Sequence, residues 1–224
     1  MTKTKIVLSL FFWVGLLAFA MTVVTKGVSE TEQGQLPDDA LRVPLISHAT
    51  SYSCGAAAML AVLIYWQVYD ENESSLYAHL KTTPENGTDP LNMLSFAQEL
   101  GLEAELKIKQ TLDEVEEKID DGYTVILDFQ AWAEDRRLAL NPDWENRWED
   151  GHYAVLVAYD DRNLYFMDPS THARYAFVPR REFLARWHDY EVRDGARVEN
   201  FQLALYIKGK KPLRNFPASI QRIE

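Results

Sequence analysis

The run Cys54–Tyr69, "CGAAAMLAVLIYWQVY", constrains the fold of this 224-residue chain more than any other segment. It reads as a helix that is apolar nearly all round, so it has no face to offer water and must be enclosed by other elements. It also opens with the only cysteine in the chain, followed by Gly55 and three alanines. A thiol at a helix start has two readings. It is a small hydrophobe that happens to begin a buried helix, or it is a nucleophile held where the positive end of the helix favours a thiolate.

The neighbouring pattern predicts an α+β fold, with helices first and an antiparallel sheet second. Asn72–Leu80 and Asp89–Leu100 predict two more helices, the second with Asp89 as N-cap, Pro90 in the first turn and Gly101 as the stop. Glu103–Lys109 alternates like a strand, and Thr111–Gly122 opens on a capping box, Thr111 with Glu114. Tyr123–Trp132, His152–Asp160, Leu164–Asp168, Arg174–Pro179 and Phe201–Gly209 are β-branched and aromatic, the composition of strands. A short helix is predicted at Arg180–Trp187. The charged segment Ala133–Asp150, with Trp144 and Trp148, reads as an insertion between strands.

At the N-terminus, two lysines precede Ile6–Val24, a 19-residue run without a charge. It is long enough to cross a bilayer, and with "AFA" at Ala18–Ala20 it also fits a secretory signal. Residues 1–27 are therefore predicted to be a signal peptide or membrane anchor, and the remainder to be exported to the periplasm or cell surface. Residues 28–41 read as a linker, 42–209 as the folded domain and 210–224 as a tail. Beyond the first 27 residues, 20 of the 23 basic residues face all 34 acids, a net charge of −14. Nucleic acid and anionic lipid would repel such a domain, so membrane contact is expected only through the N-terminal segment. No phosphate-binding G-x-x-x-x-G-K-[ST] loop is present, and nothing calls for a cofactor.

Cysteine catalysis needs a base to shuttle the thiol proton and a group to orient that base. Of the five histidines, His79 and His172 read as surface groups, whereas His152 opens an apolar strand just after Gly151. Asp168 ends the next strand and is followed by Pro169. The two side chains share a sheet face only if the pairing joins residues whose numbers sum to an even value, such as Ala154 with Asp168. A two-residue turn at Asp161–Arg162 gives an odd sum, so the pair requires an odd-length loop or a bulge around Tyr159–Asn163. Gly55 lets a substrate carbonyl approach the backbone, and the Cys54 N–H can serve as an oxyanion donor.

Three segments in order, "SYSCGAAAM", "DGHYAVLVAYDD" and "LYFMDPS", resemble the motifs of the papain-like double-glycine peptidases that process bacteriocin leaders. The resemblance spans about Pro44 to Gly209. It implies a papain-like α+β fold, Cys54 as nucleophile, His152 as base and Asp168 as its orienting group. In that family a glutamine six residues before the cysteine supplies an oxyanion-hole amide; this sequence has His48 there, and an imidazole N–H can take that role.

The resulting expectation is a stand-alone exported cysteine peptidase acting on a peptide or protein. Gly55, Gly151, Trp144 and Trp148 are the candidate cleft residues. Three other readings share the site: a papain-like acyl (γ-glutamyl-type) transferase, a catalytically silent peptide-binding module, and a zinc site from Cys54, His152, Asp168 and His48. The last lacks the close ligand spacings of zinc motifs, so no metal is expected.

Overall fold

In the computed structural model the described residues are 36–132, 142–171, 174–193, 195–214 and 220–222. The predicted signal or anchor segment lies outside them. Among the described residues no helix is long and apolar enough to cross a membrane.

The apolar helix is α1 (Cys54–Tyr65), in which every residue from Gly55 to Leu63 is buried. Its last turn falls short of Tyr69 because the chain leaves the helix through Gln67, which adopts a left-handed φ of 57°. On one side it is covered by α2 (Glu73–Leu80) and α3 (Pro90–Glu99). The predicted cap holds, Asp89 accepting from Leu91 N, and the Asn72 side chain likewise accepts from Ser75 N at the start of α2. On the other side it lies on the sheet. Ala56, Ala57, Ala58 and Ala61 are fully buried, and such small side chains let helix and strand approach closely.

The seven-stranded sheet has the order β1-β8-β2-β3-β4-β5-β9. Its strands are β1 (Glu103–Lys107), β2 (Thr124–Gln130), β3 (Gly151–Tyr159), β4 (Asn163–Met167), β5 (Tyr175–Pro179), β8 (Ala204–Lys208) and β9 (Ile220–Arg222). All neighbours are antiparallel except β5 and β9. Two core layers flank it. One lies under α1–α3, around Met59, Leu63, Ile126, Val155 and Met167. The other lies under α4 (Leu112–Asp120) and α5 (Arg180–Arg186), around Val115, Phe129, Phe166 and Phe183. Burial on both faces explains why β2 is buried at all seven positions and reads as a continuous apolar run. The capping box of α4 is formed as expected, Thr111 with Glu114.

Three features depart from expectation. The predicted linker packs Leu36 and Ala40 into the core, so the folded unit begins before residue 42. The segment predicted as a tail supplies β9, which pairs with β5. A second sheet, the hairpin β6 (His188–Arg193) and β7 (Ala196–Phe201), was not anticipated. Its signal was the dipeptide Asp194-Gly195, a strong hairpin cue, set between strands too polar to stand out.

Because α1 contacts core on every side, Leu63→Ala should cost about 2–5 kcal/mol, whereas Thr111→Ala, which removes only a cap, should cost about 1 kcal/mol. Urea unfolding midpoints of the two variants will show whether the helix carries that share of the stability.

Candidate active site

His152 and Asp168 come together through one irregularity in the sheet. The β3–β4 turn is the plain two-residue one: Asp160 N donates to Asn163 O at 2.9 Å, and Asp160 Oδ1 accepts from Arg162 N and Asn163 N at 2.7 Å each. Next to it the pairs are Tyr159↔Leu164 and Ala158↔Tyr165, an odd sum. Further along they are Leu156↔Phe166 and Val155↔Met167, an even sum. The shift falls at Val157, so the bulge sits inside β3 rather than around Tyr159–Asn163. Its extra carbonyl is not wasted, because Leu41 N donates to Val157 O at 2.9 Å. Continuing the even register sets Asp168 across from Ala154, on the face that also carries His152.

The outcome is a direct contact. His152 Nε2 lies 2.8 Å from Asp168 Oδ1, with both side chains fully buried. The same carboxylate oxygen accepts Ser170 N at 2.7 Å, which holds it in place. Trp132 covers the imidazole at a ring-centroid distance of 4.7 Å, and Phe129 meets it edge-on at 6.0 Å. The carboxylate holds one ring nitrogen, leaving Nδ1 buried without a well-formed hydrogen bond. Cys54 is close enough to act on the ring both electrostatically and through its side chain. Burial disfavours a charged ring, but the Asp168 charge, its hydrogen bond and Cys54 outweigh it and lift the His152 pKa to about 10. Asp168 is held below the usual carboxylate value: its burial is outweighed by the His152 charge and hydrogen bond and by Ser170.

Cys54 is half-buried at the first turn of α1. A Cβ on Gly55 would fall 2.7 Å from Thr88 Cβ and 3.2 Å from the Tyr153 ring, so no larger residue fits behind the thiol without a shift. His48 donates its backbone N–H to Pro169 O at 3.1 Å, which ties the segment before Cys54 to the turn that follows Asp168. Gly151 packs its bare Cα against the Asp189 carboxylate. The two tryptophans of the charged segment pack within their own domain. Trp144 is buried against the Arg186 guanidinium at 4.2 Å, and Trp148 lies tilted against His188 at 4.4 Å. The tryptophan over the imidazole is Trp132, which sequence reasoning passed over as a strand end; its place directly after a strand and before the insertion was the available cue. Among the described residues no group of three His, Cys, Asp or Glu is arranged to hold a metal ion.

The Peptidase_C39-like family model matches residues 40–193. The chain belongs to that family. No curated protein matches it. Solved structures with the same fold include a double-glycine-motif protease from an AMS/PCAT transporter in complex with the leader peptide. It is 20% identical, with a TM-score of 0.51, over 78% of this chain and 97% of that one. The peptidase domain of Streptococcus ComA, a bifunctional ABC transporter of a quorum-sensing pathway, is 18% identical, with a TM-score of 0.52, over 75% and 99%. A C39-like peptidase from Bacillus anthracis is 16% identical, with a TM-score of 0.53, over 78% and 100%. At these identities the likeness is one of fold: the chain has the papain-like α+β architecture of C39 peptidases.

The His152–Asp168 pair makes stability depend on pH with a definite sign. The folded ring keeps its proton to about pH 10 against an ordinary 6.5, so its contribution is complete below 6.5 and is lost as pH rises through 10. Asp168, ordinarily near 3.8 and lower here, contributes above that value and loses its contribution on acidification. Asp168→Asn should therefore remove most stability between pH 4 and 6.5 and little at pH 10 and above, and should move the imidazole titration seen by NMR well below 10.

Proposed function

We propose that the protein is a cysteine peptidase that cleaves a peptide bond through a Cys54 thioester, with His152 as proton shuttle and Asp168 as its orienting partner. The observation that carries this is the buried 2.8 Å contact between His152 and Asp168, with Cys54 acting on the same imidazole from a helix start. A ring that holds a proton beside a thiol favours the thiolate–imidazolium pair that attacks a carbonyl. The ring then returns its proton to the leaving amine, and water, deprotonated by the same ring, resolves the thioester. Asp168 keeps the imidazole in one orientation through both steps.

The oxyanion that forms at each step is assigned to the Cys54 N–H and to His48, which stands six residues before the nucleophile. The fold family, and a structural neighbour that holds a leader peptide, support a peptide substrate for this chain. The apolar run Ile6–Val24 and its basic flank support an export signal or anchor and hence action outside the cytoplasm. A reporter active only in the cytoplasm, fused after Gly209, should stay silent; a strong signal would overturn that location.

Mass spectrometry of a peptide library incubated with the native protein and with Cys54→Ala tests the main reading. Cleavage should vanish in Cys54→Ala and nearly vanish in His152→Ala, and should fall less in Asp168→Asn. Turnover that persists in Cys54→Ala would end it. His48→Ala should lower the rate on the order of 10²-fold, whereas His48→Gln should preserve or raise it. An unchanged rate in His48→Ala would assign the oxyanion to other groups.

A further inference from the structure

Beside the nucleophile lies a set of acids that the proposed chemistry does not use. Asp128, on β2, is 1% exposed, and neither carboxylate oxygen meets an N–H or hydroxyl donor; its side-chain partner is the Asp189 carboxyl. It faces Asp189 on β6 and interacts electrostatically with Asp189, Glu191 and Cys54. Glu191 is 7% exposed and accepts the Tyr153 hydroxyl at 2.6 Å. Tyr153 is the ring that packs behind Gly55. Asp189 is the half-buried member at the rim, resting on Gly151 next to His152 and accepting Gln130 Nε2 at 3.1 Å.

The set has little counter-charge. Arg193 acts on Glu191 electrostatically, but its two hydrogen bonds go to Asp89, at 2.7 and 3.2 Å. His188 influences Asp189, but its Nε2 is engaged by the Arg147 carbonyl at 2.7 Å. Buried carboxylates without cations hold protons instead. Burial first, then Asp189 and Glu191, push Asp128 well above the usual carboxylate range. Burial likewise lifts Glu191 to about 8. A wall of three carboxyls that retains protons for want of a cation accepts a cation when one arrives, and this wall adjoins the reactive thiol.

We propose that Asp189, backed by Asp128 and Glu191, forms a subsite beside Cys54 for a cationic group of the substrate, a lysine or arginine side chain close to the bond being cut. The proposal deepens the peptidase reading and rests on it for the identity of the ligand as a peptide. It adds a preference that neither the fold nor the triad supplies. No metal-holding arrangement exists among the described residues, and the members stand on two sheets with a tyrosine between them, so a long organic cation fits better than an ion.

Because Cys54 is the only thiol, its modification rate reads the local charge without needing turnover. The full-length protein is treated at pH 9, above the value of about 8 for Glu191, with cationic aminoethyl, neutral methyl and anionic sulfonatoethyl methanethiosulfonate, at high ionic strength so that screening leaves only the nearest charges. The cation-to-anion rate ratio, normalised to a free thiol, should exceed unity by about tenfold. Asp189→Asn should lower it about threefold or more, with each charged reagent's rate taken relative to the neutral reagent's so that any change in thiol reactivity cancels. In the peptide library, lysine placed near the cut should outperform norleucine and glutamate, and Asp189→Asn should erase that order. A ratio near that of a free thiol, or one that survives Asp189→Asn and Glu191→Gln together, would overturn the subsite and leave the acids as a self-contained proton-sharing cluster. A ratio that falls in Asp189→Asn with no peptide cut would support the cationic subsite and count against the peptidase reading alone.

Discussion

A helix without a polar face has to be surrounded, and much of this architecture follows from surrounding α1. The sheet covers one side and α2 and α3 the other, which leaves its two ends as the places where the helix meets the surface. The N-terminal end carries Cys54. A thiol there is held by a rigid element, stays half-exposed, and has the unpaired N–H groups of a first turn beside it. The alanines that follow set the spacing between helix and sheet, and that spacing brings the sheet's histidine within reach of the sulfur. The burial that stabilises the fold thus also positions the thiol.

The second constraint is narrower. Period-2 alternation means that a one-residue slip sends a strand side chain to the opposite face. With its two-residue turn, the β3–β4 hairpin would separate His152 from Asp168 had Val157 not been added between the two registers. Two contacts hold the bulge: the carbonyl of Val157 is taken by Leu41, and its side chain is buried in the core under α1. Past that point the buried pair is self-reinforcing. Each charge is costly to bury alone, and each is tolerated because the other stands 2.8 Å away. Trp132 and Phe129 keep water from the ring, which strengthens the attraction and leaves Nδ1 as the nitrogen free of Asp168.

The hairpin β6–β7 gives the surroundings of Cys54 a chemical character of their own. It delivers Asp189 and Glu191 to a wall that already holds Asp128 and Tyr153, and Gly151 is the residue that makes room for the Asp189 carboxylate. The glycine in "GH" therefore has a steric role distinct from that of the histidine after it. Trp148 packs against the same hairpin, on His188 and Phe201. This places the second sheet's contacts next to β3, the strand of His152, while Arg186, through Trp144 and the Gln130 and Ala131 carbonyls, braces the end of β2.

Much of this was legible in the residues themselves. The order of helices and strands, the caps at Asp89 and Thr111, the enclosed helix and the candidates Cys54, His152 and Asp168 follow from local signals: periodicity, capping chemistry and short motifs. So did the condition that His152 and Asp168 need an even register, because strand parity is arithmetic. What local signals could not place was the register shift itself, since a bulge at Val157 depends on what the neighbouring Leu41 N–H requires. Nor could they join β9 to β5, or bring Asp189 and Glu191, some sixty residues further along the chain, to the side of Asp128. Those contacts are long-range, and only the folded chain, by burying both faces of one sheet and closing a second sheet over its end, decides which distant acids share a wall with the thiol.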